Sequence, residues 1–168
     1  QLENTYPLVR YFVRGQGEMA MVALACGATP DDCGIHIAGT RDQGRKADHD
    51  LLTLPSPYLL ETAELQSSIR WETQRECSFC QHREPGIRLK HQWFDRHRLE
   101  KELAMFAAAK VKRISVLDPI FHNDAKRAIQ ILNSAKAAGV TAHLSLQCRF
   151  ETCTPDFLDA LEGLNVTL

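Results

Sequence analysis

The residues best placed by type and spacing to do chemistry are Cys77 and Cys80, in the stretch WETQRECSFCQHREPG. A C-x-x-C spacing lets a short loop turn both sulfurs toward one point, where they can hold a metal or cluster or exchange as a redox pair. The same spacing also arises from a buried pair or by chance. A zinc knuckle needs a second pair at similar spacing, and the remaining cysteines, Cys26, Cys33, Cys148 and Cys153, do not provide one. A thioredoxin-like pair opens a helix, whereas Pro85 and Gly86 follow here and predict a loop. His82, Arg83 and Glu84 lie just past the second thiol, where they can contact a substrate or screen cluster charge, or simply be solvated loop residues.

The elements around this loop predict an α/β fold. SSIRWET reads as the strand that delivers the cysteines, and RLEKELAMFAAAK as a helix with Leu99, Leu103 and Phe106 on one side. VKRISVLD is expected to form a strand buried on both faces, as in a parallel sheet. Asn123 or Asp124 then caps a helix in which Ala125, Ala128, Ile129, Leu132 and Ala135 recur at helical spacing, and Gly139 ends it. VTAHLSLQC is the next strand, Thr154 and Pro155 open a helix bearing Phe157, Leu158 and Leu161, and NVTL begins another strand. Strands separated by helical crossovers imply parallel pairing, with working groups at the carboxyl ends of the strands.

The first quarter reads differently. YFVRGQGE and MAMVALACGA predict a short strand, a turn and a helix, with Cys26 a small buried residue and Cys33 a loop residue. IHIAGTRDQGRKA is expected to be a small hairpin around Asp42, Gln43 and Gly44, and DLLTLPSPYL a proline-punctuated linker. Residues 1–50, 51–66 and 67–168 are accordingly the expected first domain, linker and second domain.

The cysteine stretch resembles the cluster loop of radical S-adenosylmethionine enzymes, in particular the cobalamin-binding branch, where a strand ending in E-T-x-R-G-C leads to C-x-x-x-C-x-x-C. Cys77, Phe79 and Cys80 match; the position of the first cysteine, four before Cys77, is Thr73. In that family three cysteines hold three irons of a 4Fe-4S cluster, leaving the fourth iron open to the amino and carboxylate groups of S-adenosylmethionine. Two thiolates do not complete that attachment. A genuine loss, a replacement ligand such as Cys148 or Cys153, or a stretch missing after Arg75 would each account for the departure.

The resemblance implies a partial (β/α) parallel barrel of the radical S-adenosylmethionine type, cut off at Leu168 after about three units where the family usually has six. Before it would stand the end of a Rossmann-like cobalamin-binding domain, whose V-x-x-G-E-G-E-like turn is matched here with Gln16 in place of the first glutamate. The family's cobalamin signature D-x-H-x-x-G is expected upstream; Gly34, His36 and Gly39 fit only its H-x-x-G part, so His36 is read as a hairpin side chain.

Cofactors implied by the resemblance are the cluster, S-adenosylmethionine and, in this branch, cobalamin. It makes Cys77 and Cys80 metal ligands and places Phe79 near the adenine, with a plain core role as the alternative. Asp118 and Pro119 fall where the family binds the amino group; Asp118 as cap of the following helix is the alternative. Arg149, with Gln147 beside it, could fork onto the methionine carboxylate, or form a surface pair with Glu151. The reaction implied is reductive cleavage of S-adenosylmethionine to a 5'-deoxyadenosyl radical, which takes a hydrogen atom from an unidentified substrate. Methyl transfer follows in some members, and the electron comes from a donor such as flavodoxin or ferredoxin. An inactive relative that binds zinc, or acts only by association, is the other functional class.

Composition narrows the partners. The 168 residues are 44% hydrophobic, with 20 basic and 21 acidic side chains and a net charge of -1. No global field draws such a chain to nucleic acid or a membrane surface. The start QLENTYPLVR lacks a signal-peptide layout and no apolar run approaches the roughly 20 residues of a bilayer span, so a cytoplasmic location with reduced or metal-bound cysteines is expected.

Overall fold

A computed structural model describes residues 2–27, 34–47, 50–60, 64–75 and 92–168. The chain forms two compact units, Gln1–Leu54 and Pro55–Leu168, dividing within the proline-punctuated segment.

The first unit has a short helix α1 (Leu2–Thr5), strand β1 (Tyr11–Val13), helix α2 (Glu18–Ala25) and strand β2 (Ile35–Ile37). The two strands pair antiparallel, with Phe12 opposite His36. The expected hairpin around Asp42 is a correction: β2 pairs with β1, and the returning segment joins by an isolated bridge between Gly15 and Ala47 rather than as a strand. Two glycines make that approach sterically feasible, because a Cβ at Gly15 would lie 2.2 Å from the Ala47 carbonyl oxygen and one at Gly34 2.0 Å from the Ala47 nitrogen. Asp42 folds its turn by accepting from the Gly44 N–H (2.8 Å) and from Arg14 (2.8 and 3.2 Å), and the Arg14 guanidinium first of all holds its pKa down at about 2. Cys26 caps the end of α2 and is exposed, contrary to the expected burial.

The second unit follows the expected alternation. Strands β3 (Ser68–Trp71), β6 (Arg113–Val116), β7 (His143–Ser145) and β8 (Val166–Thr167) form a four-stranded sheet in that spatial order, every pairing parallel. Helices α3 (Arg96–Ala108), α4 (Ala125–Ala137) and α5 (Pro155–Leu161) are the crossovers. They pack side by side, α4 against both α3 and α5, as crossovers of one hand between adjacent parallel strands require. Between β3 and α3 a short antiparallel ladder joins β4 (Gln74–Arg75) to β5 (Gln92–Trp93).

Local chemistry explains the helix limits. Asp95, Asp124 and Thr154 are the N-caps, each side-chain oxygen accepting from the N–H three residues on, at 3.0, 3.0 and 3.3 Å. Pro155 occupies the first turn of α5, and Gly139 follows the end of α4 at φ +72°. Leu99, Leu103 and Phe106 are buried as expected. On α4 the buried set is Ala128, Ile131, Leu132 and Ala135, with Ile129 only half-buried, and on α5 Phe157 and Ala160 are inside while Leu158 is 49% exposed.

β6 differs from its expected burial on both faces. Ile114 and Val116 are buried, but Arg113 is exposed and Ser115 half-exposed. The same alternation runs through β3, where Ile69 and Trp71 are inside and Ser68 and Arg70 outside, because α3, α4 and α5 cover the side that Ile69 and Trp71 face. Glu102, fully buried on α3, fixes the helix layer to the sheet by accepting from the Trp71 indole (2.6 Å) and the Arg98 guanidinium (2.9 Å). Tyr58, in the segment leading into the sheet, donates its hydroxyl to the Arg70 carbonyl and packs edge-on against Phe106 at 5.0 Å.

Candidate functional site

The two described ends that flank the cysteine segment meet at one place. Gln74 faces Trp93 and Arg75 faces Gln92 on the β4–β5 ladder, immediately past the carboxyl end of β3. Residues 76–91 lie between those ends. Cys77, Phe79, Cys80, His82, Arg83 and Glu84 fall in that stretch, outside the described residues. The described residues do set out the base on which the stretch stands.

Asp118 is the centre of that base. It follows β6 and is fully buried, and its carboxylate accepts the Thr73 N–H at 2.8 Å, the Thr73 hydroxyl, and the Gln74 N–H at 3.4 Å. Burial raises its pKa to about 6; the three hydrogen bonds oppose that rise and the Glu72 carboxylate adds to it. The cap of the next helix is Asp124 rather than Asp118. Gln74, also buried, donates its amide to the Ile120 carbonyl (2.7 Å), so the turn after β6 is bound to the entry of the cysteine segment at two points. Pro119, between them, is exposed.

Phe94 holds the returning end. It is 2% exposed, its N–H donates to the Thr73 carbonyl at 3.2 Å, and its carbonyl accepts from Arg127 of α4. Arg98 lies over its ring at 4.1 Å and Arg75 at 5.7 Å. Burial lowers the Arg127 pKa, against the attraction of Asp124, Asp118 and Asp95. Arg75 is further held by Glu72 at 2.8 Å.

A second cluster stands past β7. Gln147 and Arg149 are exposed there, beside the turn after β6, since the Phe121 N–H donates to the Gln147 carbonyl at 2.8 Å. The Arg149 carbonyl accepts from the Thr152 hydroxyl (3.0 Å), the Cys153 thiol (3.4 Å) and His122 Nε2 (3.1 Å). His122, 3% exposed, stacks on Phe157 at 4.9 Å and has Cys153 Sγ 3.8 Å from Nε2. A carbonyl oxygen facing Nε2 assigns the proton to that nitrogen, leaving Nδ1 buried without a partner among the described residues. The Cys148 thiol is pushed up to about 11 by burial, with Cys153 adding a smaller push.

The structure therefore brings Asp118 and the root of the cysteine segment together, with Gln147 and Arg149 on the neighbouring strand end. Thr73, Gln74, Phe94, Arg127 and His122 were missed as site residues. Only Thr73 carried a signal, through its place in the cysteine spacing. Thr73 is 1% exposed with its hydroxyl bound to Asp118, so it is not available to an iron. No three histidine, cysteine or acidic side chains form a group that could hold a metal among the described residues. His36 lies on β2 with Nε2 2.5 Å from a Glu3 carboxylate oxygen, in keeping with a sheet side chain. No helix among the described residues is long and apolar enough to cross a membrane.

No protein-family model and no curated protein matches this chain.

Proposed function

We propose that the chain carries the cluster-bearing part of a radical S-adenosylmethionine enzyme related to the cobalamin-binding branch, with Cys77 and Cys80 as cluster thiolates. The observation that carries this reading is the position of their segment, rooted by the β4–β5 ladder and Asp118 at the carboxyl end of a parallel strand. That is the end at which parallel α/β proteins place their chemistry. Asp118 then serves as a positioning residue, since both carboxylate oxygens are taken up by the segment's own root.

The donor set of this chain falls one thiolate short of a three-cysteine cluster. Thr73, standing at the first position, is sequestered by Asp118, and Cys153 is engaged with the Arg149 carbonyl. This disagreement favours a second reading, an inactive relative whose two thiols bind zinc or nothing and which acts by association.

Strictly anaerobic reconstitution with ferrous iron and sulfide separates the two. The first reading expects a brown protein with about four irons per chain, lost in Cys77→Ser and Cys80→Ser and unaffected in Thr73→Val. Added S-adenosylmethionine and dithionite should then yield methionine and 5'-deoxyadenosine. Zinc retention with no iron uptake would establish the second reading. Iron loss in Cys148→Ser or Cys153→Ser would identify the replacement ligand.

A further inference from the structure

The side of the sheet away from the helices has a composition unlike a core. Strand alternation and the observed register place Ser68, Arg113 and His143 in one row across it, and Arg70, Ser115, Ser145 and Thr167 in the next. None of these seven side chains is acidic or aliphatic, and Arg70 and Arg113 are both exposed. Neither Arg70 nor Arg113 has a side-chain partner among the described residues. Glu72, just past the end of β3, is engaged by Arg75 at 2.8 and 3.1 Å. His143 Nε2 lies 2.9 Å from the Thr167 hydroxyl, while its Nδ1 is buried without a partner among the described residues.

We propose that this face binds the phosphoryl group of a small molecule, gripped by Arg70 and Arg113 and flanked by the hydroxyls of Ser115 and Ser145 and the imidazole of His143. Charge complementarity selects the ligand. Arg113 and Arg70 are diagonal neighbours across the β3–β6 pair, because Arg70 stands opposite Ser115, two residues beyond Arg113. Such neighbours are about 7–8 Å apart at the backbone, a span that two long guanidinium side chains can close upon one anion. A tetrahedral dianion has oxygens enough for two guanidinium forks and a hydroxyl, whereas a carboxylate is satisfied by one fork. Short hydroxyl side chains beside the arginines leave room for the group on the sheet and supply neutral donors. This inference does not depend on a cluster at Cys77 and Cys80, and its test uses protein prepared without iron.

The experiment is a titration of the full chain with inorganic phosphate at constant ionic strength, followed by NMR of the arginine Nε–H and histidine signals. Saturable shifts confined to Arg70, Arg113 and His143 are expected. The double variant Arg70→Gln/Arg113→Gln should weaken binding at least about tenfold, each single variant less, and Lys126→Gln, an exposed charge on α4, not at all. These exposed substitutions leave the core intact, so loss of binding can be read without loss of fold, which the amide spectrum verifies. A ribose or nucleoside monophosphate run in parallel distinguishes the source: tighter binding than phosphate marks an ester as the ligand, and equal binding marks the free anion. Shifts spread over all surface cations, or unchanged affinity in the double variant, would overturn the proposal. Equal binding of acetate and phosphate would overturn the phosphoryl assignment.

Discussion

The loops that follow β3 and β7 leave the same rim of the same sheet, yet they are held in opposite ways. The first is rooted from a distance: Asp118, 45 positions from Thr73, and Arg127, 33 positions from Phe94, reach across from other elements. The second is tied mostly to itself, with Thr152 and Cys153 closing back on the Arg149 carbonyl within a 3-10 turn at Phe150–Thr152, and with neighbouring Phe121 and His122 bracing it from outside. The contrast teaches that the sheet spends a buried carboxylate on the cysteine segment and only a local turn on the other. A buried ionisable group is costly, so its use marks the position where the chain most needs a defined geometry.

The largest expected break in this contrast comes from Phe94→Ala. It removes the ring between Arg98 and Arg75 and opens a cavity under the β4–β5 ladder, so urea unfolding should show a loss of about 3–5 kcal/mol. An equal loss from Phe150→Ala, whose ring is 74% exposed beyond β7, would erase the distinction between the two loops.

Next is the pH dependence carried by Asp118. Its pKa rises from an ordinary 3.8 to about 6 on folding, so the native state holds the extra proton between those values. Stability from this group is therefore fully present below pH 3.8 and declines as pH rises through about 6, by on the order of 3 kcal/mol. Asp118→Asn keeps an acceptor for the Thr73 N–H and abolishes the titration. The difference between wild-type and variant unfolding curves isolates the effect from Asp42, whose depressed pKa acts with the opposite sign toward acid. A flat difference curve across pH 4–6 would show that the carboxylate is not buried in this way.

The thiols sharpen the other side of the comparison. With the Cys148 pKa at about 11 against an ordinary 9.0, its thiolate fraction near neutral pH falls about 100-fold. Timed alkylation read by mass spectrometry should label exposed Cys26 well before Cys148. Labelling of Cys148 at the rate of Cys26 would mean that the β7 loop opens freely.

The smallest effect belongs to His122→Ala, which removes a distant side-chain brace of that loop and its stacking on Phe157. About 2 kcal/mol is expected in urea unfolding, less than Phe94→Ala by a clear margin. A larger loss than at Phe94 would reverse the ranking of the two anchors.

Much of the second unit was legible before the structure. The helices over Leu99–Phe106 and Ala128–Ala135, a cap at Asn123 or Asp124, the helix start at Thr154, the stop at Gly139 and the parallel pairing of the strands all follow from short-range patterns. Where burial was misjudged, as at Ile129, Leu158 and β6, the pattern was right to within one helical position or one face, and packing chose between the alternatives. The Asp42 turn was misread because its outcome depends on which strand pairs with β2.

Residues within a few positions of one another determine caps, turns and the period of the apolar stripe, and those the amino-acid sequence settles unaided. Only the tertiary structure decided that α3, α4 and α5 pack side by side, that Gln92–Trp93 returns antiparallel to Gln74–Arg75, and that Asp118 grips Thr73. The physical reason is separation along the chain: a hydrogen bond spanning 45 residues depends on the whole sheet being assembled first, and no local preference records it.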